Sequence, residues 1–216
     1  VAKVEISESI SVAVEIPQGY AELPLDAIDE AIARTEALFA SLGTGALSST
    51  APGVLQALNA LLNRLAECGT AYCGLGIHLT ADGRQISSAL AITLADYGAE
   101  QNPRLTLGSV LTGRQRAGER FDNAEFLDVA GRLILMVDRT KAVPAPDIPN
   151  YDGDEQEIYQ VEAIVASPDG SAIAAVELST PFVEDGSEYL LPMVAVAASI
   201  EFGTSARAAT TSSLNL

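Results

Sequence analysis

The chain has 216 residues, 48% of them hydrophobic, and its 29 acids against 12 bases give a net charge of −17. That length and apolar content can bury a core, in one large domain or two small ones. The acidic balance argues against nucleic-acid binding, which needs Lys and Arg to neutralise phosphates, and against an anionic membrane surface.

Ile10–Ile16 alternates apolar and polar residues and predicts a strand with one buried face, ended by Pro17 and Gly19. Pro24 opens a predicted helix, Pro24–Leu42, with Leu25, Ile28, Ile32 and Phe39 as its core stripe. Asp26, Asp29 and Glu30 sit near its start, where the helix dipole favours negative charge. Thr44–Gly53 reads as a Gly/Ser/Thr/Pro linker. A second helix, Gly53–Cys68, then carries Leu55, Leu58, Leu62 and Leu65 at helical steps, with Gly69 as its cap. The two helices are expected to form an antiparallel pair.

Ala71–Thr80 and Arg84–Asp96 predict a hairpin around Ala81-Asp82-Gly83, because Asp-Gly accepts positive φ at low cost. A short helix is expected within Pro103–Arg116, and a strand over Val129–Val143. Pro144–Glu157 reads as an acidic loop. A second hairpin, Ile158–Ala166 with Ala172–Ser179, turns at Ser167-Pro168-Asp169-Gly170. After Asp185-Gly186-Ser187 comes a closing helix, with Leu190, Val194, Ala197 and Ile200 on one side and Leu191, Ala195 and Ala198 beside them. The polar tail Gly203–Leu216 follows the body 1–202.

Strands that neighbour in sequence favour an antiparallel sheet, so the pattern predicts an α+β domain whose central sheet is covered by helices as an α/β/α sandwich. The core must be built from Ala, Leu, Val and Ile, since Trp is absent and aromatics make up 5%. The segment ISVAVEIPQGY after the start and the ending STPFVEDGSEYLLPMVAVAASIEF resemble the PsbP-like superfamily, which spans an extrinsic photosystem subunit, a Ran-binding nuclear import factor and many bacterial proteins of unknown role. The resemblance rests on framework features at the two ends. It implies an antiparallel sheet between helical layers and a non-catalytic accessory or binding role, in which no cofactor is expected.

Candidate chemistry is sparse. His78 is the only histidine, so a Ser-His-acid triad would have to use it, yet no G-x-S-x-G elbow is present. Cys68 and Cys73 are spaced C-x4-C. Buried apolar thiols are the first reading and a bridge across the helix–strand turn the second. Zinc would want more ligands than His78 adds. The acidic run Asn150–Glu155 fails the calcium-loop pattern, with Ile148 and Tyr159 where acids belong. Arg104, Arg114, Arg116 and Arg120 form the one basic island. They either pair internally, with the Asp147–Glu157 loop or the Glu-rich first helix, or hold an anion or a carboxylate-rich partner.

These residues suggest a binding or assembly module acting on a protein partner or on its own copies. Its contact surface would be the helix pair Pro24–Cys68 or the groove beside the arginines. The alternative is a carboxylate enzyme using Asp96 with Glu100, or the Asp152–Glu155 group. Two cysteines and no membrane-length apolar run suggest a cytoplasmic protein. A leader removed before Val1 would instead imply secretion.

Overall fold

The computed structural model describes residues 2–6, 10–41, 46–80, 82–144 and 154–203. In chain order they form β1 (Ala2–Ile6), β2 (Ile10–Val14), β3 (Tyr20–Glu22), α1 (Ile28–Ser41), α2 (Ala46–Glu67), β4 (Thr70–Leu79), β5 (Gln85–Asp96) and α3 (Pro103–Arg116). Then come β6 (Asn123–Val129), β7 (Arg132–Pro144), β8 (Glu155–Ala166), β9 (Ala172–Thr180), a 3₁₀ segment Val183–Tyr189, α4 (Leu190–Ser199) and β10 (Glu201–Phe202). Seven strands make the main sheet in the order β3-β4-β5-β9-β8-β7-β6, and β1-β2-β10 make a smaller one. Every pairing is antiparallel, so the architecture is α+β.

Register sorts the side chains onto two faces, because successive residues of a strand point to opposite sides. On the first face Tyr72, Ile92, Val176, Ala163 and Met136 stand in one row across β4, β5, β9, β8 and β7. Met193, Val196 and Ala197 of α4, Ile200 beyond it, and Val12 and Val14 of β2 cover that row, and all are buried. Each large side chain sealed in this way stabilises the fold by about 1.5–3 kcal/mol. Arg132 donates to the Ala198 carbonyl at 2.8 Å and to the Ile200 carbonyl, tying down the C-terminal end of α4.

The second face carries two separate covers. Leu107 of α3 packs on Leu135, Val137 and Ile164. The α1–α2 hairpin sets Ile28, Ile32, Leu55 and Leu62 over Cys73 of β4. Asn59 donates to Asp29 at 3.2 Å between the two helices. Gly69 stops α2 at φ 78°, and a Cβ there would stand 2.9 Å from the Leu94 carbonyl oxygen, so both conformation and space require glycine.

Several sequence expectations need correction. The helix expected from Pro24 starts at Ile28, because Ala27 takes a positive φ of 51° that breaks the first turn. The expected linker Thr44–Gly53 is largely helix: α2 begins at Ala46 and runs through Pro52. Only its first two residues fall outside the described set. Val129–Val143 is not one strand. Ala130 and Gly131, at φ 53° and 82°, turn β6 into β7, with the Gly131 amide donating to Asp128 at 3.0 Å. Alanine carries no turn signal, which hid that hairpin. The closing helix is present, but its buried line is Met193, Val196, Ala197 and Ile200, with Leu190 and Val194 at its margin. The tail from residue 204 and the acidic loop 145–153 lie outside the described residues.

Candidate functional site

At the β3–β4 end of the first face, the sheet and α4 diverge and leave a cleft of about 220 Å³. Ile86, Leu90, Leu178, Met193 and Val196 make its apolar surface, and Tyr20, His78, Tyr189 and Glu188 its polar end. His78 can lie flat along β4 because Gly76 is bare: a Cβ there would collide with His78 Nε2 and stand 2.8 Å from the Tyr20 ring. The His78 ring sits 5.0 Å from that of Tyr20 and 5.9 Å, edge-on, from that of Tyr189.

Beneath these rings Ser88 Oγ lies 3.1 Å from His78 Nε2 and 2.7 Å from Tyr20 Oη. Burial holds His78 below the usual imidazole range and therefore neutral near pH 7. Burial also pushes the Tyr20 phenol up, partly offset by its bond to Ser88. The Tyr189 hydroxyl is buried and makes no hydrogen bond of ordinary geometry. Burial raises its pKa, although Ser88 and Thr180 stand close enough to pull the other way.

A serine bonded to a histidine is the first half of a nucleophilic pair. Here it works as a structural tie. Ser88 is only 3% exposed, its hydroxyl is shared with Tyr20, and among the described residues no carboxylate bonds to His78. Sequence reading found His78 and missed Ser88 and Tyr20. The alternation that buries Ser88 between Ile86 and Leu90 was the available signal.

The second face has a different opening. Beyond the α1–α2 hairpin and α3, towards the Leu79 end of β4, the described residues of neither helical cover reach the sheet, and a shallow groove of about 390 Å³ crosses β4, β5 and β9. Ser87, Ala89 and Ser179 lie along it, with Leu75, Ile77, Ile158 and Pro181 as its apolar sides. Leu75, Ile77 and Leu79 share this face of β4 and are 49%, 61% and 75% exposed.

The four arginines are not one surface. Arg114 bonds Glu119 at 2.8 and 3.0 Å and also Glu162, while Arg139 bonds Glu119 at 2.9 Å and Gln160 at 2.7 Å. Phe121 lies under both guanidinium groups, 5.0 and 5.7 Å from its ring centre. Arg114 is thus paired internally, though with Glu119 and Glu162 and not with the Asp147–Glu157 loop or the first helix expected from sequence, whereas Arg104, Arg116 and Arg120 are exposed. The Arg114 bond holds Glu119 below the usual carboxylate range. Burial pushes Glu162 up, against the pull of Arg114, and Glu177 stands directly across from it on β9.

Cys73 is buried under the helical hairpin and Cys68 is exposed on the turn before β4; both are free thiols, so the bridge weighed from sequence is not formed. Cys73 and His78 point to opposite faces of β4, which separates the one nearby ligand from the thiols. Asp96 accepts the Gly98 amide at 2.8 Å in a turn, and Glu100 is exposed. Of the Asp152–Glu155 group, residues 152 and 153 lie outside the described residues, and Asp154 and Glu155 are exposed. Among the described residues no helix is long and apolar enough to cross a membrane. No protein-family model and no curated protein matches this chain.

Proposed function

We propose that this protein is a non-catalytic binding or assembly module of PsbP-like kind, acting through protein–protein contact on the exposed part of the second face, beyond α3 and the α1–α2 hairpin. The observation that carries this reading is the row Leu75, Ile77 and Leu79, large aliphatic residues left exposed at alternate positions of one strand. Such a row is what a covered sheet face carries. Sealing each of these side chains against a partner would gain up to about 1.5–3 kcal/mol before the costs of association. The adjoining groove offers a floor of small residues into which partner side chains can seat. Both free thiols support a reducing, cytoplasmic setting.

The test is a photo-crosslinking residue at Ile77 in the living source cell, with the same residue at Glu125 on exposed β6 as the control. The reading expects one product specific to position 77, either a partner protein or a second copy, which disappears when Leu75 and Leu79 are changed to Ser. Equal products from both positions, or none from position 77, would refute it.

A further inference from the structure

The cleft on the first face opens on the other side of the sheet from the groove of that docking surface, and cleft and docking surface share only Leu79, at the end of β4. Its chemistry is unequal at its two ends. The inner surface is hydrocarbon, from Ile86, Leu90, Met193 and Val196. The polar end gathers two phenol rings, one imidazole and a single charged side chain, Glu188.

At the polar end the phenol rings and Glu188 select for the same charge. Aromatic faces carry negative potential and attract cations, most strongly those that are weakly hydrated. Glu188 makes no ion pair among the described residues and is exposed. The nearest acids on the preceding 3₁₀ segment, Glu184 and Asp185, are both engaged by Arg84, at 3.3 and 2.7 Å. No lysine or arginine lines the cleft. Across the whole chain a net charge of −17 draws cations towards every opening. The volume of about 220 Å³ lies below the roughly 300–1,000 Å³ of drug-sized sites, which restricts the occupant to a small molecule.

We infer that this cleft binds a small organic cation with an apolar body, an alkyl- or arylammonium compound, its hydrocarbon against Leu90 and Met193 and its charged head among Tyr20, Tyr189 and Glu188. The test titrates the full chain with benzyltrimethylammonium, with phenylacetate and benzyl alcohol as anionic and neutral partners of similar ring. Ring-proton NMR signals of the tyrosines and His78 are followed.

The expected result is saturable binding of the cation at least tenfold tighter than of either comparator, with intermolecular contacts to Tyr20 and Tyr189. Glu188→Lys should weaken it tenfold or more, while Glu125→Lys, the same charge change on distant β6, should leave it within twofold. Glu188 is exposed, so the variant is expected to fold. Should Glu188→Lys unfold, Glu188→Gln takes its place, with a severalfold loss expected. Equal affinity for phenylacetate or benzyl alcohol, equal effects of the two lysine variants, or shifts that do not saturate would each overturn the inference. The crosslinking result at Ile77 has no bearing on it.

Discussion

Ser88 Oγ stands 3.1 Å from Nε2 of His78, and the same oxygen stands 2.7 Å from the Tyr20 hydroxyl. One buried hydroxyl thereby joins β3, β4 and β5 behind the cleft. Ser88→Ala would leave Tyr20 and His78 each short of a partner. The expected cost is about 1–3 kcal/mol, read from urea unfolding midpoints. A serine-directed fluorophosphonate should leave Ser88 unmodified in the folded protein. Rapid labelling at Ser88, seen by mass spectrometry, would contradict its role as a tie.

Gly76 makes room for that arrangement, because its missing Cβ is where the His78 ring lies. Gly76→Ala should destabilise by about 1–3 kcal/mol through overpacking. His78→Ala in the same chain should recover part of the loss, since removing the ring reopens the space. A double-mutant cycle on melting temperature measures this coupling, and strict additivity would exclude it.

His78 also sets a pH dependence. Its folded pKa lies below the unfolded value because burial disfavours the charged ring. Between those two values the unfolded chain binds the extra proton. The stability from neutral His78 is therefore fully present above about pH 6.5 and is lost as pH falls through the folded value. His78→Gln should flatten the unfolding curve across that window relative to the parent.

Arg114 joins Glu119 and Glu162 on the other face. Arg114→Leu would strand Glu162, whose pKa burial already raises. The expected loss near pH 7 is on the order of 3 kcal/mol, since removing one member of a buried pair leaves an uncompensated charge. A carboxyl with a raised folded pKa favours the folded state below its unfolded value, and that contribution fades as pH rises through the folded value. The deficit of Arg114→Leu should accordingly shrink on acidification towards pH 5 and nearly vanish in Arg114→Leu with Glu162→Leu. A deficit independent of pH would oppose this assignment.

The exposed row on β4 should behave in the opposite way to a core. Ile77→Thr leaves a β-branched residue on the strand and removes an apolar surface that no described residue covers. Thermal stability should change by no more than about 0.5 kcal/mol, while binding of a hydrophobic dye falls. A large loss of stability would mean that Ile77 is packed in solution.

Local signals were enough for much of the architecture. Asp82-Gly83 and Asp169-Gly170 mark hairpin turns, the alternation of Ala172–Thr180 marks a central strand, and Asn102-Pro103 opens α3, where the Asn102 side chain accepts the Arg104 amide at 2.9 Å. Those features work within a few residues, where backbone stereochemistry and side-chain period act directly, and together they determine the α+β class. Contacts between distant segments decided the rest. Tyr20, His78 and Ser88 meet only because β3 pairs with β4 and β4 with β5. The buried line of α4 was settled by the sheet beneath it, which takes Met193 and leaves Leu191 81% exposed. Arg114 is set apart from its three neighbours in sequence by Glu162, 48 residues away, because a charge loses its hydration only where another element closes over it.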